Sequence, residues 1–239
     1  MRLDKLLTEQ AGSRTKAADW IRNGRVTVGG VVVTKAGYDV QDPETVKVAR
    51  GDDFVSRSGA KLEQAFSEIG FSVEGETVLD IGASTGGFTD VCLRRGAAKV
   101  YALDVGHLQL AARLDQDPRV VKMEGMNARD IETGWFSSPI DFVCMDVSFI
   151  SSRTILESLF AQFVPEHLAL LVKPQFECGP QALNKHGVLK NGKLRQKIFG
   201  DMQQFLSQYY AHTVLVKDIL PGRSGNQEAI IYAGKRRKP

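Results

Sequence analysis

Four ionisable residues stand where packing alone would not put them. Asp146 closes the apolar run in 143-VCMDVSFIS-151, Lys173 closes the run in 169-ALLVKPQFE-177, and Glu228 opens the run in 225-GNQEAI-230. Lys61, in 56-SRSGAKLEQAF-66, opens a stretch with helical periodicity. An acid or a lysine at the mouth of an apolar strand is poor packing, and lysine is rarely buried without a partner. Four such residues point to one working edge of a sheet.

A glycine-rich turn lies beside them in sequence. In 78-VLDIGASTGGFTD-90 an apolar strand runs into Gly82, Ala83, Ser84, Gly86, Gly87 and Phe88. A phosphate-binding P-loop would carry a lysine after its last glycine, and Phe88 stands there instead. The dinucleotide fingerprint G-x-G-x-x-G meets Ser84 at its middle position. The better match is an acid followed by G-x-G-x-G, with Asp80, Gly82, Ser84 and Gly86, as methyltransferases have. S-adenosylmethionine has no phosphate and carries a cationic sulfonium and ammonium, so an acid entering the turn suits it better than a lysine. Small turn residues let the backbone approach such a ligand closely. Asp104 ends the next strand, where a carboxylate accepts hydrogen bonds from ribose hydroxyls; the alternative is a cap for a following helix. Asn127, after the third strand, is placed to meet adenine or to serve as an ordinary loop residue. Asp146 can also face the methyl donor.

The elements that must position these groups follow from periodicity. Apolar runs predict strands near 77–81, 99–104, 119–123, 140–146, 168–173, 213–219 and 228–233. Helical spacing predicts helices near 59–69, 87–95, 107–114, 152–162 and 192–208. Such alternation specifies a doubly wound α/β sheet, which binds ligands beyond the carboxyl ends of its strands. Residues 1–55 read differently. Leu3, Leu6 and Leu7 predict a helix over 3–10, and a second runs from about 14 to 23. Strands Arg25–Val28 and Val31–Thr34 flank Gly29-Gly30, a tight-hairpin signal, and a third strand covers about 45–49. Two domains are expected, 1–55 and 56–239.

Of the 239 residues, 43% are hydrophobic and 25% charged, which suits a globular chain with a sizeable core. No apolar run approaches the ~20 residues of a membrane helix, and the charged start MRLDKLLTEQ is unlike a signal peptide. Cys92, Cys144 and Cys178 are odd in number and far apart, so neither a disulfide framework nor a zinc site is expected. A reduced, cytoplasmic protein is the simplest reading. Residues 1–37 carry seven Lys/Arg against three acids, and Lys235, Arg236, Arg237 and Lys238 form a basic tail, whereas 59–234 carries a net charge of −3. Basic ends on a mildly acidic body suit a polyanionic partner as well as ordinary solvated charge.

The order RLDKLL, then SRTKAADWIRNGRVTVGGVVVTKAGYDV, resembles the S4 RNA-binding domain. That resemblance implies RNA contacts by Arg2, Lys5, Arg14, Lys16, Arg22 and Arg25. The whole set, with VLDIGASTGGFTD, MDVSFIS, LVKPQFE and GNQE, resembles the TlyA/hemolysin A family nearly end to end. This family joins an S4 domain to an FtsJ-like RNA 2′-O-methyltransferase domain of Rossmann-like fold. It implies S-adenosylmethionine as cofactor, ribosomal RNA or a ribosomal subunit as partner, and cytidine ribose as target. Its Lys-Asp-Lys-Glu tetrad falls on Lys61, Asp146, Lys173 and Glu228, and its second lysine, here Lys173, is taken to activate the hydroxyl. The chemistry is coherent. A ribose hydroxyl is a weak acid, and a free lysine, with a pKa of about 10.4, is mostly protonated at neutral pH. Burial and a second lysine both favour the neutral amine. The sulfonium already activates the methyl group, so no metal is implied.

Three loops depart from the family pattern. Ser58 precedes Gly59-Ala60-Lys61 where two glycines are usual, His107 stands in the segment after Asp104, and Glu124-Gly125-Met126-Asn127 replaces E-R-T-N. Two other readings are a non-catalytic RNA-binding or ribosome-assembly factor and the membrane-lytic activity that the hemolysin name suggests; the sequence has no span or strongly amphipathic basic helix for the latter. A monomer or weak homo-oligomer is expected.

Overall fold

The computed structural model of the chain describes residues 1–22, 26–48, 54–217, 219–222 and 224–237. The chain divides into two units, Met1–Asp53 and Phe54–Pro239.

In the first unit, leucines at helical spacing build α1 (Leu3–Leu6) and α2 (Thr8–Ala11), followed by α3 (Arg14–Arg22). The single helix expected over 3–10 breaks at Leu7. The hydroxyl of Thr8 donates to the Asp4 carbonyl at 2.9 Å, the back-bonding that bends helices. Gly12, at φ +77°, ends α2, and Ser13 Oγ accepts from the Lys16 amide at the start of α3. The hairpin of β1 (Val26–Val28) and β2 (Val31–Val32) turns through Gly29 and Gly30, at φ +59° and +82°. Both are left-handed, as a two-residue hairpin turn requires. The second strand stops at Val32 rather than Thr34. β3 (Val46–Val48) pairs antiparallel with β1 on its other side. Leu3, Leu7, Ala17, Ile21 and Val26 form a small core of their own. Arg25, expected to start the first strand, lies outside the described residues.

The second unit alternates helix and strand: α4 (Arg57–Ile69), β4 (Thr77–Ile81), α5 (Gly87–Arg94), β5 (Lys99–Asp104), α6 (Ala112–Asp115), β6 (Val120–Glu124), β7 (Phe142–Met145), α7 (Ser152–Gln162), β8 (His167–Val172), α8 (Pro174–Glu177), α9 (Gly192–Leu206), β9 (Tyr210–Val216) and β10 (Ala229–Arg236). The strands form one sheet in the order β6-β5-β4-β7-β8-β10-β9. β4 to β8 run parallel; β10 is antiparallel to both its neighbours. This is the doubly wound sheet that the alternation specified.

Successive residues of a strand face opposite ways. Leu79 and Ile81 therefore pack into one core layer with Leu156 and Leu159 of α7 and Phe199, Met202 and Leu206 of α9. Val78 packs into the other with Leu62 and Phe66 of α4 and Phe88 and Val91 of α5. Both faces of the sheet are covered, which leaves its edges for polar work.

One predicted helix is absent. Residues 107–111 form a loop, and only the turn α6 follows. The carboxylate of Glu124 takes the amides of Leu108, Gln109 and Leu110 at 2.7, 2.9 and 3.1 Å, and Leu108 adopts φ +55°. A left-handed Leu108 cannot continue a helix, so the segment stays a loop pinned by Glu124.

Candidate active site

The parallel strands all end at one edge, and the reversal of β10 brings its start to the same edge. Asp146 follows β7, Lys173 follows β8 and Glu228 precedes β10. The Asp146 amide donates to the Ile81 carbonyl at 2.9 Å, so Asp146 lies against the first turn residue, Gly82. A Cβ on Gly82 would stand 2.5 Å from the Asp146 carbonyl oxygen. Gly82, at φ +83°, is required there on both counts.

The four ionisable residues form two ion pairs of different character. Lys61 Nζ lies 2.5 Å from Glu228 Oε2, with side chains 8% and 3% exposed. The other Glu228 oxygen accepts from Gln175 Nε2 at 3.0 Å. Gly222 presses on the same carboxylate. Lys173 Nζ lies 2.6 Å from Asp146 Oδ1, with side chains 13% and 15% exposed, and donates to Ser148 Oγ at 2.8 Å. Pro174 starts α8 immediately after Lys173, which takes the cap position. Each lysine is thus held by its own acid. The first pair ties α4 to β10 in the interior, and the second bridges the ends of β7 and β8 at the rim.

The glycine turn is set by its neighbours. The amides of Gly82 and Ala83 bond the Leu103 carbonyl, and the Ser84 amide donates to Asp104 Oδ2 at 2.8 Å. The other Asp104 oxygen accepts the Gly106 amide at 2.7 Å. Ser84 itself adopts φ +48° and bonds Gln109 through its hydroxyl. Gly86, at φ +91°, caps α5, and a Cβ there would collide with Leu114 and Leu110. Its smallness therefore serves packing beneath the turn rather than room above it. Gly87 packs against Ser56 and Ser58 of the α4 start, so the serine in place of the usual glycine touches the turn directly. Phe88 is buried.

Asp80 differs from its expected place. It is fully buried, and one oxygen accepts both the amide and the hydroxyl of Thr89, at 2.9 and 2.7 Å. Burial pushes its carboxyl up to about 7, against the opposing bonds from Thr89. The same burial holds the Cys144 thiol, against Asp80 and Cys92, well above its ordinary value. Asp80 joins β4 to α5 beneath the turn. Asn127 spends its side-chain oxygen on the Arg129 amide, capping a short turn. Glu124, the first residue of the loop that stands for E-R-T-N, is held below its ordinary range by the amides of Gln109, Leu108 and Leu110. His107 packs its ring on Gly125.

Sequence reasoning passed over four residues within its own motifs. Ser148 and Gln175 complete the two ion pairs. Phe149, at φ +66°, is 91% exposed and lies 5.2 Å from Phe176, ring centre to ring centre. Glu177 ties both loops together by accepting the Ser151 hydroxyl and the Ser152 amide. A large aromatic held in a left-handed conformation is locally strained backbone. By contrast, a cavity of about 370 Å³ lined by Phe136, Phe163, Val164 and Arg236 lies at the opposite sheet edge, away from all of these residues.

In the first unit, Asp4 is buried and accepts from Arg2 at 3.1 and 2.9 Å and from Arg14 at 3.1 Å. The bonds from Arg2, then those from Arg14, hold its carboxyl far below the usual carboxylate range. Both arginine side chains remain 56% exposed. Lys5, Lys16 and Arg22 are exposed, with Arg22 against Asp19.

Residues 54–235 match the FtsJ-like methyltransferase family profile. The chain belongs to that family. Residues 1–46 match the S4 domain. Hemolysin A of Brachyspira hyodysenteriae is 45% identical over 84% of this chain and 85% of its own length. The 16S/23S rRNA (cytidine-2′-O)-methyltransferase TlyA of Mycobacterium tuberculosis is 39% identical over 93% and 84%. A solved structure of a candidate hemolysin from Streptococcus thermophilus superposes with a TM-score of 0.77 at 35% identity, covering all of this chain and 90% of that one. FtsJ-like residues account for the second unit and S4 residues for the first, as the motifs implied. Among the described residues no helix is long and apolar enough to cross a membrane.

Proposed function

We propose that this chain is a cytoplasmic methyltransferase that moves the methyl group of S-adenosylmethionine to a ribose 2′-hydroxyl of ribosomal RNA, with cytidine as the target. The observation that carries this reading is the rim ion pair, Lys173 with Asp146, set beside the glycine turn. The turn fits the cofactor. Residues 78–90 contain no lysine or arginine for a phosphate, and Asp104 and Asp146 sit at its rim to receive hydroxyls and a cation. S-adenosylmethionine, when bound, supplies a methyl group already activated by its sulfonium.

The protein's own residues then have three tasks. Ser84 and Asp104 would fix the ribose side, with Asn127 beyond them. Asp146 would orient Lys173, which must first pass its ammonium proton to solvent; its neutral amine then takes the proton from the hydroxyl oxygen as that oxygen attacks. Lys61, Glu228 and Gln175 would brace the strand ends so that oxygen, carbon and sulfur align, the proximity effect. Exposed Phe149, beside the half-buried Phe176, offers a π-face of the kind on which unpaired bases stack. Arg2 and Arg14, with Lys5, Lys16, Arg22 and Arg25, would hold RNA phosphates, which give affinity without reading sequence.

The test is a transfer assay with radiolabelled S-adenosylmethionine on ribosomal RNA lacking the modification, followed by mapping of the modified ribose. Label at a cytidine 2′-oxygen is expected. Label on a base, or S-adenosylmethionine binding with no transfer to RNA or to intact subunits, would replace this reading with another.

A further inference from the structure

Between Glu177 and Asp201 the chain carries Lys185, Lys190, Lys193, Arg195 and Lys197, together with His186, and no acid. A basic run of this kind is usually a solvated face, but this one is built. Leu183 and Leu189 bridge to form a small hairpin, and Asn184 Oδ1 accepts the amides of His186 and Val188 at 2.9 and 3.0 Å inside it. Val188 and Leu189 are buried. Asn191 caps α9 by accepting the Leu194 amide.

A second anchor fixes where the hairpin sits. Asn226, itself only 4% exposed, accepts the Leu189 amide at 2.9 Å and donates to the Gly187 carbonyl at 3.0 Å. Asn226 stands two residues before Glu228, in the same GNQE segment. The hairpin is therefore clipped to the strand that delivers Glu228 to the catalytic edge. Lys185, His186, Lys190 and Lys193 are all exposed, and among the described residues the three lysines make no ion pair.

We infer that this hairpin and the first turn of α9 form a second phosphate-binding surface, which grips the backbone of the RNA strand beside the target ribose. The inference rests on the RNA methyltransferase reading and adds to it a docking site on the catalytic unit, separate from the basic N-terminal unit. A rigid backbone with unneutralised lysines holds a polyanion at fixed distance from the ribose it must present. An unstructured basic tract would add affinity but no register. Asn226 is then a positioning residue that couples the grip to the active edge.

The experiment compares three triple variants of the full chain, using unmodified ribosomal RNA as probe. Lys185→Gln, Lys190→Gln and Lys193→Gln together should weaken RNA binding about tenfold or more at physiological salt and lower the slope of log affinity against log salt by about 2, since each lost phosphate contact removes roughly 0.7–0.9. The same three positions changed to arginine should restore both. Lys99→Gln, Arg119→Gln and Lys122→Gln remove as much charge from the β5–β6 end of the sheet and should leave binding and turnover near wild type. Thermal midpoints show whether each variant folds. Wild-type affinity and slope in the first variant, or an equal loss in the third, would overturn the inference. If the wild-type protein transfers no methyl group to RNA, the functional reading has failed, and the salt slopes still decide whether the hairpin binds a polyanion.

Discussion

The two lysine–acid pairs of the catalytic edge use the same chemistry in opposite settings. Lys61 and Glu228 are sealed, with the acid held on its second oxygen by Gln175. Lys173 and Asp146 sit at the rim, and Lys173 also shares a hydroxyl with Ser148. A sealed pair can brace but cannot meet a substrate. An open pair can exchange one of its partners for an incoming hydroxyl. On the function proposed above, the first pair serves architecture and the second chemistry.

Lys173→Arg gives the sharpest contrast, because it keeps the charge and removes a group able to give up its proton. Turnover should fall by about 10²–10⁴, as for loss of a general base, while the melting temperature stays near wild type. Equal turnover in single-turnover assays would place the base elsewhere and erase the contrast. Glu228→Gln should do the reverse. It leaves Lys61 buried without a counter-charge, which costs about 3–5 kcal/mol when one partner of a buried pair is removed. Urea unfolding measures this. Lys61→Met with Glu228→Met should recover most of that loss, since apolar replacement of a buried pair is often neutral. A loss under about 1 kcal/mol for Glu228→Gln would mean that the pair is far less sealed than its burial indicates.

The first unit extends the comparison with a hybrid: Asp4 is sealed while its arginines are open. Asp4→Asn adds a positive unit to the protein, so charge alone predicts tighter RNA binding. Loss of the brace predicts the opposite, because two guanidiniums must then be ordered on binding at about 0.5–1.5 kcal/mol each. Weaker binding by filter assay, with the S4 unit still folded, is expected; tighter binding would make Asp4 a mere counter-charge.

Asp80 is a sealed acid without a cation, and its effect should be visible only in the pH dependence. Its carboxyl is raised from 3.8 to about 7 in the folded chain. Between those values the folded state holds a proton that the unfolded state has lost. Its contribution therefore falls as pH rises from about 4 to about 7, by at most about 1.4 kcal/mol per pH unit, and is flat above. Asp80→Asn should flatten that part of the profile in urea titrations at pH 5, 6 and 7. An unchanged slope would show that Asp80 is ionised throughout.

The strands and their charged ends were legible because alternation is local: Val78 to Ile81 read as a buried strand without knowledge of its neighbours. The residues at the mouths of β7, β8 and β10 stood out because nothing apolar explained them. What escaped was what each group bonds. Glu228 meets Lys61 across 167 positions, and Glu124 meets Leu108 across 16. No window of sequence contains such pairs. The helix expected over 107–114 failed for that reason, since a distant carboxylate pins the segment in a loop with Leu108 left-handed. Asp80 was legible as special but not as interior, because an acid before a glycine turn reads the same whether it faces the ligand or the helix. Ser148, Phe149 and Gln175 lay within recognised motifs, yet their types suit loops as well as sites.

The antiparallel course of β10 has a consequence for synthesis. A ribosome delivers β4 to β8 in chain order, and each can dock beside a strand already made. β9 emerges next but has no place, because its neighbour in the sheet is β10. Until that strand threads between β8 and β9, β8 presents a bare edge and Lys61 has no counter-ion. The nascent polypeptide thus holds its glycine turn and its Lys173 before it holds Glu228. Competence arrives in one late closing step, and that step also covers the edge most prone to sticking to another chain.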